Sequence, residues 1–303
     1  MKISSAKEEP LVSIIMNCFN AENFLHQALD SILNQTYKNW ELVFWDNQSN
    51  DSSAKIFKSY NDSRFKYFYA DQHTLLYEAR NRAISKAKGE YLAFCDTDDW
   101  WHKEKLNIQM PLFKNNQVDA VYGNIYLVRQ KFNRKTILWK AKLPKGSILS
   151  EILKNFTVGI LSLIIKKKVL AATKPFDERF HIIGDFDLMI RLSTKIKFDC
   201  VQEPVAYYRI HKTNTSLMNI DRHIKELKIW YSEMLKHPII SKENNFIQIN
   251  RMIYFLEMKK YIFKSDFESA KQVLKKIPFS IKKIKFFILI YLLRDFSKKF
   301  VDF

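Results

Sequence analysis

The first hundred residues alternate between short apolar runs and amphipathic segments, and this alternation constrains the fold more than any other feature. The segments at residues 24–33 and 75–87 repeat apolar side chains at helical spacing, and Gly89 is predicted to end the second helix. Four runs have the composition of buried strands: residues 11–16, 41–45, 65–69 and 91–95. Strands and helices that alternate with short connections predict an α/β fold with a doubly wound, mostly parallel sheet.

The pattern changes twice beyond residue 117. Residues 118–209 mix extended and helical segments, and the strands over residues 118–128 and 136–141 are expected to be antiparallel. The extended segments are residues 118–128, 136–141, 160–165 and 201–209, and the helix is residues 185–193. After residue 218 helical spacing dominates, and basic residues are twice as numerous as acidic ones. The sequence therefore predicts one domain over residues 1–217 and a helical, basic C-terminal region over residues 218–303.

Three carboxylates directly follow the fourth predicted strand, at the sheet edge where ligands bind in folds of this type. Asp96, Asp98 and Asp99 are close enough in sequence to repel one another unless a cation lies near them. Mg²⁺ and Mn²⁺ prefer carboxylate oxygens and readily share phosphate ligands. The alternative is an Asp-rich turn that caps a helix beginning at Trp100. The local sequence leaves both interpretations open.

Three further polar clusters stand at the ends of predicted elements. Asp46 opens a loop and can accept a hydrogen bond from a nucleobase, although it also suits an ordinary polar turn. Asp185 and Asp187 open a helix, where acids also stabilise the helix dipole, and at most one of them can point into a shared site. His211 lies among cations and hydroxyls over residues 208–216, a composition that suits a diphosphate or metal site. A single histidine in a loop is more often a surface residue.

The order and spacing of these clusters resemble those of family 2 glycosyltransferases, which have a GT-A fold. The resemblance extends over residues 12–216 and includes, besides the clusters above, segments 12–20, 28–37, 79–83, 88–94 and 176–179. It implies a metal-dependent hexosyl- or N-acetylhexosaminyltransferase that inverts the anomeric centre. The implied donor is a nucleotide-sugar, expected to be a UDP-sugar. The implied acceptor is a hydroxyl of a glycan or lipid-linked molecule in surface polysaccharide synthesis.

The resemblance also assigns nucleotide-binding roles to residues of this sequence. Asn20 and Glu22 are expected to line the nucleotide pocket, and Asp46 is expected to hold the base, uracil. Arg80 is expected to approach the diphosphate or the ribose. Asn47 stands where the family often has a second Asp, and this departure puts the choice of nucleotide in doubt.

The metal and the chemistry are assigned to other residues. Asp96 and Asp98 match the family's DxD motif, so Asp98 is expected to ligate Mn²⁺ or Mg²⁺ and Asp96 to bind ribose or metal. Asp185 matches the catalytic base. Gly184 precedes it where many members have Glu, which leaves Asp185 as the candidate at that point. His211 matches a position where some members place a further metal or phosphate contact.

The net charge of +18 indicates an anionic partner, unless it reflects only a lysine-rich composition. Nucleic acid is not expected, because the aromatic residues stand mostly at core-like spacings and the acidic loops would repel phosphates in the absence of a metal. Residues 281–294 combine lysines with an apolar run, so we expect peripheral contact with an anionic membrane. The alternative is a helix packed on the domain.

The expected location is the cytoplasm, with the membrane contact on the inner face of the cell membrane. Residues 1–10 lack the apolar core of a signal peptide, and no run of about 18 apolar residues is present. Cys18, Cys95 and Cys200 show neither zinc-ligand spacing nor a disulfide framework.

Two other functions fit the sequence less well. A nucleotidyltransferase would have a glycine-rich loop with a basic residue after the first strand, whereas residues 17–21 contain neither Gly nor Lys. A catalytically inactive scaffold would be expected to have lost carboxylates, whereas Asp96, Asp98 and Asp185 are all present.

Overall fold

The computed structural model describes residues 9–129, 134–211 and 219–291. The chain divides into two compact units. The first unit contains the chain up to Ile148 together with Thr157–His211. The second contains Leu149–Phe156 together with the chain beyond His211, so a short segment from the middle of the sequence joins the C-terminal helices. No sequence pattern indicated this assignment of residues 149–156.

The first unit is built on one mixed sheet. Its strands, in the described part of the chain, are β1 Val12–Cys18, β2 Trp40–Asp46, β3 Phe65–Tyr69, β4 Tyr91–Phe94, β5 Trp100–Trp101, β6 Ala120–Arg129, β7 Arg134–Ile137, β8 Ile164–Lys166 and β9 Phe198–Arg209. Their order is β3-β2-β1-β4-β8-β6-β9-β5, with β7 paired to β6. Most paired residues belong to parallel ladders, which confirms the predicted α/β sheet.

The helices of the described residues alternate with the first strands and then dominate the C-terminal part. They are α1 Leu25–Leu33, α2 Ser53–Lys58, α3 Leu76–Lys86, α4 Lys105–Gln109, α5 Leu149–Lys154, α6 Lys167–Ala171, α7 Gly184–Ser193, α8 Ile220–Met234, α9 Ile247–Phe263, α10 Phe267–Lys276 and α11 Ile281–Tyr291. In α1 the buried side chains are Leu25, Ala28, Leu29 and Ile32, one face of the helix, as the apolar spacing predicts.

The centre of the sheet is parallel and buried. Strand β1 lies between β2 and β4, and its apolar side chains are almost fully buried because elements cover both faces. Gly89 precedes β4, and a Cβ at this position would lie 2.6 Å from the carbonyl oxygen of Leu11. The prediction that Gly89 ends helix α3 was wrong, because α3 ends at Lys86. The absence of a side chain at Gly89 instead allows the backbone to pass close to β1.

The second half of the sheet contains antiparallel pairs, and the pairing of β6 with β7 is the one predicted for residues 118–128 and 136–141. Strand β8 pairs antiparallel with β4 and β6, and β7 pairs antiparallel with β6. The predicted strand over residues 160–165 is shorter than expected, since Ile160–Ser162 forms a 3₁₀ turn. Trp100–Trp101 forms strand β5, which pairs with β9. The alternative in which the aspartates cap a helix at Trp100 is therefore wrong.

The described part of the second unit is helical. Its C-terminal helices α9, α10 and α11 pack around a buried cluster that includes Met258, Ile262, Leu274 and Leu289. Asn245 donates a hydrogen bond to the carbonyl oxygen of Ser150 at 3.1 Å, which ties α5 to this unit. No helix among the described residues is long and apolar enough to cross a membrane. The predicted boundary after residue 217 and residues 292–294 of the predicted membrane-contacting segment lie outside the described residues.

Candidate active site

The polar loops predicted to carry the chemistry meet at the carboxyl edge of the sheet. Cys18, the last residue of β1, is directly opposite Asp46 at the end of β2. Phe94, the last residue of β4, pairs with Ile15 of β1. The loops that follow β1, β2 and β4 therefore leave the sheet side by side, as expected for parallel strands.

Arg80 is the central side chain of this edge. It projects from α3 and is only 2% exposed. Its Nη1 donates to Asp185 Oδ1 at 2.9 Å, and its Nη2 donates to Asp96 Oδ1 at 2.7 Å. A buried guanidinium requires such partners, because an unpaired charge inside a protein is costly. We call this guanidinium with its two carboxylate partners the fork of Arg80. It fixes the first turn of α7 beside the loop after β4, although these segments are far apart in the sequence.

The two carboxylates that Arg80 joins remain accessible. The side chain of Asp96 is 36% exposed and that of Asp185 is 27% exposed. Burial raises the pKa of Asp185 to about 6, against the lowering effect of Arg80, and Asp96 raises it further. Burial also raises the pKa of Asp96. A carboxylate with a pKa near 6 is ionised at neutral pH and is a better proton acceptor than an ordinary aspartate.

Helix α7 directs its two opening aspartates to different sides, as predicted. Asp187 is buried and binds Arg191 on the same helix at 2.8 Å, so it has a structural role. The glycine at position 184 has a steric explanation, because a Cβ there would lie 2.5 Å from the ring of Tyr77. Tyr77 is buried and donates a hydrogen bond to the carbonyl oxygen of Ile182 at 3.1 Å. The glycine that departs from the family pattern therefore makes room for Tyr77.

Asp98 lies against His211. The Oδ2 atom of Asp98 is 2.9 Å from His211 Nε2. A carboxylate oxygen and an imidazole nitrogen are both donors that Mn²⁺ accepts, and a nucleotide diphosphate can supply further oxygens. These two residues therefore fit a divalent cation. Within the described residues no group of three or more His, Cys, Asp or Glu is gathered for a metal, and the hydroxyl-rich residues Thr213–Ser216 of the same loop lie outside them.

Asp99 and Arg209 form a buried contact that holds the loop after β4, and the sequence did not predict it. The backbone N–H of Arg209 donates to Asp99 Oδ1 at 2.8 Å, and Arg209 Nε donates to the carbonyl oxygen of Asp98 at 2.8 Å. Burial, with the nearby Asp98 and Asp96, raises the pKa of Asp99 well above its usual range. The third carboxylate of the run thus points into the protein and fixes the loop. This arrangement depends on the pairing of strand β5 with β9. A strand of two residues is too short to be predicted from the sequence.

Asn20 and Glu22 join the loop after β1 to the loop after β2. The backbone N–H of Asn50 donates to Asn20 Oδ1 at 2.9 Å, and that of Ser52 donates to Glu22 Oε2 at 2.9 Å. Asn20 adopts a φ of 52°, in the left-handed region that Asn tolerates better than most residues. Both residues are exposed at the edge. The two residues thus link these loops at the edge of the sheet, and their contact with a nucleotide stays a prediction.

Asp46, the last residue of β2, is fully buried. Its Oδ1 accepts from the backbone N–H of Ser49 at 2.8 Å, and its Oδ2 accepts from the hydroxyl of Tyr67 at 2.6 Å. The observed contacts hold the loop, and a direct contact with a base stays a prediction. Asn47 donates through Nδ2 to the carbonyl oxygen of Thr74 at 2.8 Å, which an Asp could not do.

An exposed aromatic ring at the same edge was not identified from the sequence. Phe19 directly precedes Asn20 and is 51% exposed, and its ring centroid lies 4.4 Å from that of His73. His73 Nδ1 is 2.8 Å from the carbonyl oxygen of Asn47, so the pair is fixed to the loop after β2. Phe19 lies in the polar segment that was predicted to be the loop after the first strand, and no pattern in that segment marked its ring as part of the site.

Comparison with known proteins gives the family. The model of Glycosyl transferase family 2 matches residues 13–173. The chain is 32% identical over 185 residues to the UDP-Glc:alpha-D-GlcNAc-diphosphoundecaprenol beta-1,3-glucosyltransferase WfgD of Escherichia coli, covering 61% of this chain and 70% of that protein. It is 28% identical over 235 residues to the amylovoran biosynthesis glycosyltransferase AmsB of Erwinia amylovora, covering 74% and 78%.

Solved structures show the same fold at low identity. S. aureus TarS 1-349 in complex with UDP-GlcNAc superimposes with a TM-score of 0.65 at 15% identity, over 95% of this chain and 88% of TarS. The mannosyltransferase PcManGT of Pyrobaculum calidifontis, in complex with GDP-Man and Mn²⁺, gives 0.63 at 14%, over 97% and 84%. The sheet with its helical C-terminal part is therefore the predicted GT-A type, and the chain belongs to Glycosyl transferase family 2.

Proposed function

We propose that this glycosyltransferase moves a hexosyl or N-acetylhexosaminyl group, with inversion, from a UDP-sugar to a hydroxyl of a lipid-linked or other glycan acceptor. Its place would be surface polysaccharide synthesis at the inner face of the cell membrane. The observation that carries the proposal is the fork of Arg80, which places the candidate base Asp185 next to the aspartate run. The curated relatives support the donor and acceptor, since WfgD is named for UDP-Glc and a diphosphoundecaprenol acceptor.

Asp185 is the proposed base. The acceptor oxygen forms a bond to the anomeric carbon, the bond from that carbon to the diphosphate oxygen breaks, and the acceptor proton moves to a carboxylate oxygen of Asp185. Arg80 holds Asp185 in position through Oδ1. The raised pKa of Asp185, about 6, makes it a competent acceptor at neutral pH. Much of the acceleration would come from positioning and from electrostatic stabilisation.

Asp98 and His211 are the proposed metal-binding residues, and Asp96 completes the motif toward the ribose or the metal. A bound Mn²⁺ or Mg²⁺ would supply positive charge to stabilise the departing diphosphate. The support is the 2.9 Å contact between Asp98 and His211, together with the Mn²⁺ in the PcManGT complex.

The proposed nucleotide-binding residues are Asn20, Glu22 and Asp46. Phe19 is proposed to provide a surface on which the base stacks. A base stacked on an aromatic ring gains roughly 1–3 kcal/mol, so Phe19→Ala should weaken UDP binding about tenfold. Ile137→Ala, a similarly exposed apolar residue elsewhere on the sheet, is the matched control and should bind UDP as the wild type does.

The test of the function is binding and hydrolysis of UDP-, GDP- and dTDP-sugars with Mn²⁺, with Mg²⁺ and with EDTA. Turnover of a UDP-sugar that EDTA abolishes is the expected result. Turnover of a GDP-sugar alone would refute the nucleotide assignment, and turnover that EDTA leaves intact would refute the metal. Failure to bind any donor would favour the scaffold interpretation over catalysis.

A further inference from the structure

The C-terminal unit exposes an apolar surface that its own packing does not use. Helix α11 buries Phe286, Leu289 and Ile290 against the core of this unit. On the rest of the helix and in the turn before it, apolar side chains are exposed: Phe279, Ile281, Ile284, Phe287, Ile288 and Tyr291. Over its second half, residues 286–291, every side chain of α11 is apolar, and a helical segment that is apolar on all sides normally lies in a core or in a membrane. Here one face lies in a core and the other is exposed.

The most exposed of these side chains stand at the turn between α10 and α11. Phe279 is 86% exposed and Ile281 is 87% exposed, and Pro278 precedes them. Two large apolar side chains this exposed gain free energy by leaving water. Over its described residues helix α11 is 11 residues long and spans roughly 16 Å, about half of a bilayer's hydrocarbon core. It can lie along a membrane surface, with the turn inserted among the lipid tails.

The charged side chains of the chain segment that carries this surface are all positive. Residues 269–291 contain lysines but neither Asp nor Glu. Lys275, Lys276 and Lys285 are exposed there. Each lysine near an anionic membrane surface adds roughly 1 kcal/mol of attraction. Charge complementarity therefore favours an anionic bilayer over a neutral protein surface as the occupant.

A small pocket beside the turn contains an incompletely paired guanidinium. The pocket has a volume of about 230 Å³, and Gln248, Arg251, Phe279 and Ser280 are among its lining residues. In the described part of the chain, Arg251 Nε is buried without a hydrogen-bond partner, and Nη1 donates to Gln248 Oε1 at 3.3 Å. A guanidinium binds phosphate oxygens readily. The pocket beside Phe279 therefore offers the guanidinium of Arg251 as a partner for the phosphate of a lipid headgroup.

We propose that the second unit binds anionic phospholipid bilayers, with Phe279 and Ile281 inserted and a lipid phosphate paired with Arg251. The sequence indicated the lysines and the apolar run of α11, but not the turn or the arginine pocket. This binding does not depend on the proposed transfer reaction, because it needs neither donor nor metal.

The test is flotation of the full chain with vesicles that contain no polyprenyl lipid. Binding to phosphatidylcholine vesicles with one third phosphatidylglycerol is expected, with roughly tenfold weaker binding to phosphatidylcholine alone. The double variant Phe279→Ser/Ile281→Ser should lose roughly tenfold or more in binding. The matched control Leu235→Ser/Ile239→Ser changes two exposed apolar residues of the same unit and should float as the wild type does.

Two further measurements separate insertion and phosphate pairing from nonspecific attraction. Phe279→Trp should add fluorescence that brominated lipids quench, relative to the wild type. Arg251→Gln should weaken binding to phosphatidylglycerol vesicles several-fold, whereas Lys236→Gln, an exposed lysine outside the surface, should not. Equal flotation of wild type and the double serine variant would overturn the proposal. A requirement for an added polyprenyl phosphate would also refute the proposal. So would a wild type that is a dimer and a serine variant that is a monomer, because the exposed surface would then be a protein interface.

Discussion

Replacing Arg80 tests whether one guanidinium holds the active site together. The change Arg80→Gln removes the charge and leaves Asp96 and Asp185 beside each other without their shared partner. Removal of one member of a buried ion pair costs about 3–5 kcal/mol. Both carboxylates are about one third exposed, so water would offset part of this cost, and the lower value of about 3 kcal/mol applies. The melting temperature should fall by roughly 6–12 °C.

The same change should alter the pH dependence of transfer. Arg80 lowers the pKa of Asp185, which burial raises to about 6. Without the guanidinium this pKa rises further, so the acid limb of the kcat/KM profile should move to higher pH. Arg80→Lys keeps a charge but cannot reach both carboxylates with a fork, so it should give an intermediate shift.

The matched control is Arg82→Gln on the same helix. Arg82 pairs with Glu78 at 2.6 Å, but both side chains are about 30% exposed. Surface pairs of this kind contribute roughly 0.2–1 kcal/mol, so the melting temperature should change by only a few degrees. If Arg80→Gln melts no lower than Arg82→Gln and leaves the acid limb in place, the role given to the fork is refuted.

Three further predictions concern the residues around Arg80. Asp185→Asn should lower transfer by about 10²–10⁴-fold while UDP binding, measured by calorimetry, stays within twofold; equal transfer would remove Asp185 as the base. His211→Ala should weaken Mn²⁺ binding in the presence of UDP at least about tenfold, measured by electron paramagnetic resonance, and unchanged affinity would exclude it from the metal site. Gly184→Ala should destabilise the protein by about 1–3 kcal/mol, because its methyl group meets the buried ring of Tyr77, and a denaturant midpoint equal to that of the wild type would contradict this steric account.

The pH dependence of stability gives an independent check on Asp185. Its pKa in the folded state, about 6, lies above its usual value of 3.8, so the folded protein holds this proton more tightly than the unfolded chain. Its contribution to the free energy of unfolding should therefore fall as pH rises from about 4 to 6, by up to about 3 kcal/mol. The difference in stability between wild type and Asp185→Asn should change across this window, and a difference constant with pH would contradict the raised pKa.

Local patterns predicted the parallel half of the fold because each element there satisfies its own periodicity. The buried face of α1 and the apolar strand β1 could be identified directly from the sequence. The two-residue strand β5 and the 3₁₀ turn at Ile160–Ser162 could not, since both depend on pairing with or packing against distant segments. The grouping of residues 149–156 with the second unit is likewise a tertiary effect.

For the site, the sequence identified the residues but not how they are paired. Three neighbouring aspartates predict a cation nearby, and from the sequence a metal was the expected source of that charge. In the structure the protein itself supplies much of the compensation: Arg80 pairs with Asp96, and Arg209 donates its backbone N–H to Asp99. Repulsion among the aspartates therefore carries little weight as an indication of metal. The stronger indication is Asp98, whose side chain lies with His211 at the edge of the sheet, where the diphosphate of a donor would supply the remaining oxygen ligands.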